Sequence, residues 1–216
     1  MTFIELVNKL RQEASVSGSA VPSVLNQRGE YLRLVNWIND AYLEIQLEYM
    51  DWMFLRKSGS FNTIVGVNIV TPPADLNGWD MERFYDGDNN ICAQEYSSHI
   101  PSSSTGSVST ITIKDDNSLI LSSTPDSIQT ISYDYFRVPH TLINDADTPL
   151  IPAAYHQVII GRALILAGNY DDAQELIRQG SEIYRKAIVQ LRNNQIADKR
   201  GYYGQGNPRD IVIAVQ

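Results

Sequence analysis

Apolar residues recur along this chain with two different periods. Phe3, Leu6, Val7 and Leu10 repeat at helical spacing, which predicts an amphipathic helix over residues 2–14. Thr2 stands where an N-cap belongs and Glu5 follows three residues later, the pattern of a capping box. The stretch from Ser15 to Ser23, with Gly18 and Pro22, ends that helix. A stronger pattern follows. Tyr31, Val35, Ile38, Tyr42, Ile45, Tyr49 and Trp52 step 4-3-4-3-4-3, and Leu34, Trp37 and Ala41 widen the stripe. This predicts one helix from about Gly29 to Leu55, roughly 39 Å long at about 1.5 Å per residue.

Between residues 58 and 139 the period falls to two. Phe61 to Val70 is rich in β-branched residues and stops before Pro72-Pro73. Arg83 to Tyr96 reads as two strands about a turn at Asp86–Asn90, and Ser109 to Ser123 as a hairpin turning at Asp115–Asn117. The polar stretch Ser97 to Ser107 reads as a loop. Ile131, Tyr133 and Tyr135 alternate with Thr130, Ser132 and Asp134, as a half-buried strand requires, until Pro139.

Helical spacing then returns. After a polar linker (Asn144 to Pro149), Pro152 opens a helix expected to run to about Leu166. Gly168 is expected to end it in a left-handed conformation, and Asp171 to cap the next helix. There Ala173, Ile177, Gly180, Tyr184, Ala187 and Leu191 step 4-3-4-3-4. The short joint implies an antiparallel hairpin. From Lys199 the pattern is lost to glycines and Pro208 before a final apolar run, Ile211 to Val215. The order predicts an α+β fold: an antiparallel helical bundle with an inserted β-rich domain and an extended C-terminal arm. The expected segments are 1–57 and 140–198 for the bundle, 58–139 for the insertion and 199–216 for the arm.

Charge and composition narrow the function. The chain has 216 residues, is 43% hydrophobic and carries a net charge of −8 with a pI near 4.8. It can bury a core, and its overall acidity argues against a nucleic-acid clamp. The acidity is concentrated: residues 58–150 hold three basic and twelve acidic side chains, whereas residues 151–216 hold eight and six. A single cysteine, Cys92, rules out an intrachain disulfide framework and a thiolate zinc cluster. No apolar run reaches about 18 residues, the length a spanning helix needs. The N-terminal segment reads as a helix rather than a signal peptide, so the expectation is a protein made and kept in a reducing compartment, with no membrane contact.

Catalytic signatures are sparse. His99, His140 and His156 have no partners at metal-ligand spacing, and His156, early in a helix, reads as a packing or capping residue. No nucleophile elbow, phosphate loop or dinucleotide fingerprint occurs, and Gly201, Gly204 and Gly206 lie in the tail rather than between a strand and a helix. Asp86, Asp88, Asn89 and Asn90 resemble a calcium loop superficially but lack its distal glutamate, so a plain turn is expected. Asp145 and Asp147 read as parts of a solvated turn, and Cys92 as a small buried hydrophobe. The expectation is a protein that is not an enzyme and holds no cofactor or metal.

Interaction features are richer. Asp40, Glu44, Glu48 and Asp51 step 4-4-3 beside the apolar stripe of the long helix, and Arg178, Arg185 and Arg192 step 7-7 along the last. One reading is two solvated faces with local pairs such as Arg178–Glu182. The other is an acidic face that meets the basic face of a neighbouring copy, or that lines an opening and repels passing DNA. In the tail, Ile211, Val212, Ile213, Ala214 and Val215 are costly to leave in water on a flexible arm. They suit a strand added to a partner's sheet edge or laid in a groove, with Tyr202 and Tyr203 as anchors. Tyr96, Tyr202 and Tyr203 lie outside the packing stripes and leave sugar stacking as an alternative use.

Two resemblances follow. Ala163 to Ile188 resembles a tetratricopeptide repeat in the placing of Gly168, Tyr170, Ala173, Tyr184 and Ala187. No second copy occurs at the right period, so it is read as a generic helical hairpin. Over most of its length the chain resembles the head-to-tail adaptor (connector, or head-completion) proteins of tailed bacteriophages. The match runs in order through Trp37–Ile45, Asp51–Leu55, Ile131–Pro139, the linker Asp145–Pro152, and Ala154-Tyr155-His156 opening a helix that contains Ala163. That resemblance implies a virion protein, assembled in the host cytoplasm, that forms a ring commonly of twelve copies beneath the capsid portal. Its helices would form a collar around a channel that passes double-stranded DNA without sequence-specific binding. Lys199 to Gln216 would dock into the portal, and nozzle, tail-tube or fibre proteins would bind the other side. The acidic stripe would lie near the channel or a subunit seam. Two other readings stay open: an accessory protein whose helical hairpin binds peptides, and a carbohydrate-binding or hydrolytic tail component that would use acids such as Asp86 or Asp88.

Overall fold

Thr2 caps the first helix as its neighbours require. In a computed structural model, which describes residues 1–95 and 104–196, helix α1 spans Phe3–Glu13. The Glu5 amide donates to the Thr2 hydroxyl (3.4 Å) while the Thr2 amide donates to the Glu5 carboxylate (2.9 Å), both halves of a capping box. Phe3, Leu6, Val7 and Leu10 are buried. Arg11 secures the turn beyond, donating to the carbonyls of Val16 (3.0 Å) and Gly18 (2.9 Å).

Helix α2 spans Gly29–Glu48 and stops short of the expected end at Leu55. A short 3₁₀ turn, Met53–Leu55, follows instead. The reason lies in Trp52. Its indole N–H donates to the carbonyl of Ile45 at 2.8 Å, a group near the helix end that needs a partner there. The ring is fully buried, stacked on Phe54 (5.2 Å) and met edge-on by Tyr49 (5.2 Å). Tyr49 and Trp52 thus keep the packing role that their spacing announced, without a helix beneath Trp52.

The chain divides into two compact units, Met1–Tyr42 with the chain from Leu142 onward, and Leu43–Thr141. In the first, helices α3 (Gln157–Asp171) and α4 (Gln174–Gln195) form a hairpin, and a 3₁₀ turn at Ala153–Tyr155 precedes α3. The expected stop at Gly168 is not observed. α3 continues to Asp171, and the left-handed residue is Asp172 (φ 51°). Gly168 serves packing instead: a Cβ there would lie 2.8 Å from Ile177 Cγ1. Gly161 and Gly180 do the same further along, where added Cβ atoms would sit 2.6 Å from the Tyr184 amide and 2.8 Å from the Gly161 carbonyl. The two backbones approach closely enough that no larger residue fits.

The linker before α3 is stitched to the start of the chain. Asp145 Oδ1 accepts from the Val24 amide (2.6 Å) and the Ser23 hydroxyl (3.2 Å), and the Asp147 carbonyl accepts from the Phe3 amide (2.7 Å). Asp145 therefore ties two distant segments together rather than lying in a solvated turn. Asn39 exchanges two hydrogen bonds with the backbone of Leu142 (2.9 and 3.0 Å), and the Tyr42 hydroxyl accepts from the Leu150 amide (2.9 Å).

Among its described residues the second unit holds ten strands: β1 (Arg56–Asn62), β2 (Ile69–Val70), β3 (Leu76–Asp86), β4 (Asn89–Asn90), β5 (Cys92–Glu95), β6 (Ser104–Thr105), β7 (Thr110–Ile113), β8 (Leu119–Leu121), β9 (Ser123–Thr124) and β10 (Thr130–Arg137). One sheet has the order β1-β10-β3-β4, a second β2-β8-β7-β5, and β6 pairs with β9. β1, β10 and β3 are antiparallel neighbours, whereas β5 runs parallel to β7. Phe84, Ile91, Val108, Ile111, Leu119, Leu121 and Ile131 form the core. Phe61 to Val70 is not one strand: Ile64 bridges Val67 across Gly66 (φ 80°), so the chain reverses between β1 and β2. The turns at Gly87-Asp88 and near Asn117 fall where their residues place them, with φ of 58° at Gly87 and 62° at Asn117. The whole is an α+β protein.

Gly161→Ala should destabilise the chain by about 1–3 kcal/mol, because the added methyl has nowhere to go. Gly78→Ala, whose Cβ would meet open space, should stay within about 0.5 kcal/mol of wild type. Denaturant unfolding of the two variants checks the contrast.

Candidate interaction surfaces

The two charge stripes occupy outward positions. Asp40, Glu44 and Glu48 are exposed on α2, and Asp51 is half-buried in the turn beyond its end. The helix thus carries three of the four acids rather than all of them. Large apolar side chains share the region: Leu47 is 68% exposed and Met50 65%. On α4, Arg178, Arg185 and Arg192 are all exposed, and Val189, between the last two, is half exposed. Arg178 is satisfied within its own helix, donating to Glu175 (3.0 Å through Nε) and to Glu182 (2.7 Å). The pairing raises the arginine pKa above its usual range and holds Glu175 below the ordinary carboxylate value, in each case chiefly through their shared hydrogen bonds. Tyr202, Tyr203, Ile211, Val212, Ile213 and Val215 lie outside the described residues, as do Tyr96 and His99.

Two of the candidate groups, His156 and Asp86, hold structural contacts. His156 is buried, with Nε2 2.8 Å from the Ile151 carbonyl and Nδ1 2.9 Å from the Met1 nitrogen. Burial lowers its pKa and favours the neutral ring. Asp86 and Asn89 pair across the tight β3–β4 turn, and Asp86 also accepts from Gln129 (3.3 Å). Among the described residues no three His, Cys, Asp or Glu side chains come together to hold a metal. No described helix is long and apolar enough to cross a membrane. Cys92 is exposed, not buried as its residue type suggested. Ala93 takes the core side of the edge strand β5, and strand alternation turns Cys92 outward.

Other clusters escaped the periodicity argument. Phe61, Trp79, Phe84, Tyr133 and Tyr135 make a continuous aromatic row, with Tyr133 5.1 Å from Trp79 and Trp79 5.6 Å from Phe84. Tyr133 lies over Gly59, where a Cβ would be 2.8 Å from its ring. Phe84 lies in the core, and Phe61, Trp79 and Tyr133 are partly buried against it. At its edge the Tyr135 hydroxyl donates to Asp75 (2.7 Å) and Lys57 pairs with the other Asp75 oxygen (3.0 Å). The hydroxyl first, and then the ammonium, hold the Asp75 carboxyl below the ordinary range. At the β1–β2 reversal, Ile64, Val65 and Ile128 are exposed on loops joined by bonds from the Thr63 amide to Gln129 (2.9 Å) and the Gly66 amide to Pro125 (3.0 Å). The Gly66 in that apolar run was the available signal for a turn.

The His156 environment sets a pH dependence. A histidine whose folded pKa is depressed binds fewer protons folded than unfolded, so stability falls as pH drops below the unfolded value of about 6.5. Unfolding midpoints in urea should be lower at pH 5 than at pH 7, and His156→Gln should flatten that difference while lowering both values. An unaltered pH difference in the variant would contradict this role.

Comparison with known proteins bears on what these surfaces serve. No curated protein sequence matches the chain. The family model described as SU10 adaptor protein matches residues 1–209, which covers both units. The chain belongs to the SU10 adaptor protein family, in keeping with the resemblance to phage head-to-tail adaptors.

Proposed function

We propose that this chain joins the capsid portal to the tail, as one copy of a ring of twelve through which double-stranded DNA passes. The family match over residues 1–209 carries this reading. The charge supports it. A conduit for DNA must not hold its cargo, and a chain of net charge −8 repels phosphates at long range. In this reading the helices of the first unit pack as a bundle and form the collar, and the β-rich unit serves as a decoration or as a docking surface for tail fibres. A closed ring of identical copies needs a heterologous contact, in which two different faces meet.

The portal-docking element in this proposal is residues 199–216. Ile211, Val212, Ile213 and Val215 form an apolar strand that a portal groove or sheet edge would shelter, and Tyr202 and Tyr203 anchor its base. Tail proteins bind the opposite side, and the assembled protein resides in the virion at the head–tail junction.

Electron microscopy of the purified protein mixed with its portal should show a ring seated on the portal. A chain truncated after Ala197 should unfold at the same temperature as the full chain and fail to bind the portal. Undiminished binding by the truncated chain would contradict the role of the arm.

A further inference from the structure

We propose that the apolar reversal between β1 and β2, together with the open edge of β1, binds an extended basic segment of a tail protein by strand addition. This inference rests on the adaptor reading above and deepens it by giving the β-rich unit a docking place.

The reversal is apolar and firmly held. Ile64 is 65% exposed, Val65 57% and Ile128 73%, and Val67 and Ile69 are exposed beside them. Ile64 and Val67 are bridge partners, so their side chains share a face, and Ile69 follows two residues on. The bond from the Thr63 amide to the Gln129 carbonyl (2.9 Å) sets Ile128 beside Ile64. Buried Thr63 locks the base. Its hydroxyl donates to the Ser127 carbonyl (3.1 Å) and accepts from the Gln129 amide (2.8 Å). A contiguous apolar patch on fixed loops marks a contact site.

A strand edge leads into it. β1 ends its sheet, with β10 as its neighbour on one side. Since Thr63 bonds towards β10, alternate residues in the same register turn the other way. Ser58, Ser60 and Asn62 therefore present backbone N–H and C=O groups to the open side. Natural edges are guarded by charges, proline or bulges. Residues 58–62 carry no charge and no proline, and β1 pairs with β10 without a register shift. On the same open side the Ile64 carbonyl accepts from the Val67 amide (3.0 Å), so a strand laid along β1 runs up to Val67 and Ile69.

Charge selects the occupant. Residues 43–141 hold thirteen acidic and five basic side chains, so the chain's whole net charge of −8 lies in this unit. That field draws in a basic segment and repels an acidic one. A membrane surface calls for Lys, Arg or Trp around the apolar tip. Residues 58–74 carry no charge and no Trp, and 117–133 carry one charge, Asp126. A stable pair of copies needs about 800 Å² on each partner, more than five side chains supply. A ring presents the site once per copy, so modest single contacts add up for a tail that meets several.

Fluorescence anisotropy of the full chain with a labelled seven-residue peptide that alternates lysine and valine tests the site. The peptide should bind at least about tenfold more tightly than its glutamate–valine counterpart, and less tightly as salt rises. Of two further peptides, methylated on all valine or all lysine backbone nitrogens, at least one should bind about tenfold more weakly. Undiminished binding by both would overturn strand addition, whatever any variant does. Ile64→Ser with Ile128→Ser should weaken the peptide about tenfold or more with the unfolding temperature unchanged, and particles assembled with it should lack tails. Wild-type affinity in that variant, equal binding of the glutamate peptide, or normal tails would overturn the proposal. So would sedimentation of the chain with phosphatidylcholine–phosphatidylglycerol vesicles, or dimers that the double substitution abolishes, by naming a different occupant. Each of these failures leaves the adaptor reading standing where the same wild-type preparation forms rings on the portal. Absence of those rings would overturn the adaptor reading and the tail partner with it.

Discussion

Helices α3 and α4 lie as close as their backbones allow, and much of the first unit follows from that approach. Three positions, Gly161, Gly168 and Gly180, lack the Cβ atoms that would collide across the contact. Close approach maximises dispersion contacts between the two helices and commits one whole face of α4 to the interior. The opposite face is then left with charges and a half-exposed valine. A surface of that kind forms as the by-product of packing. The linker strengthens the same unit by different means. Asp145, Asp147 and Asn39 use side-chain and backbone bonds to fasten residues 142–150 to the start of the chain.

The second unit depends on how α2 ends. Trp52 folds back to supply the donor that Ile45 would otherwise lack, and the chain enters β1 four residues later. Stopping the helix at Glu48 leaves Leu47, Met50 and Met53 on a short exposed stretch beside the acids. A helix continued to Leu55 would have carried the stripe on as a regular face. The observed turn instead gathers apolar and acidic groups at one place.

Local signals in the sequence proved legible, and distant ones did not. The capping box at Thr2 and Glu5, the alternation of Ile131 and Tyr135 with Thr130 and Ser132, and the turns at Gly87 and Asn117 involve residues a few positions apart, so spacing alone reveals them. Periodicity reports which side chains are buried, not how far a backbone motif runs. Tyr49 and Trp52 kept the stripe going after the helix had stopped, which is why its end was misplaced. Gly168 presented two physical uses, a left-handed cap or a close helix contact, and only the partner Ile177 decides between them. Asp145 bonds to Val24 across more than a hundred residues, which no local pattern carries. The charge stripes were visible because surface charges need no partner to be noticed. The aromatic row and the apolar tip at Ile64 and Val65 went unseen, since each is assembled from separate strands or loops.

Cryo-electron microscopy of the head–tail junction from particles containing this chain tests the central claim most directly. The account predicts a closed ring of copies of this chain seated on the portal, with residues 199–216 of each copy held by it. Lone copies of the chain at the junction, or a ring whose residues 199–216 make no contact with the portal, would contradict it.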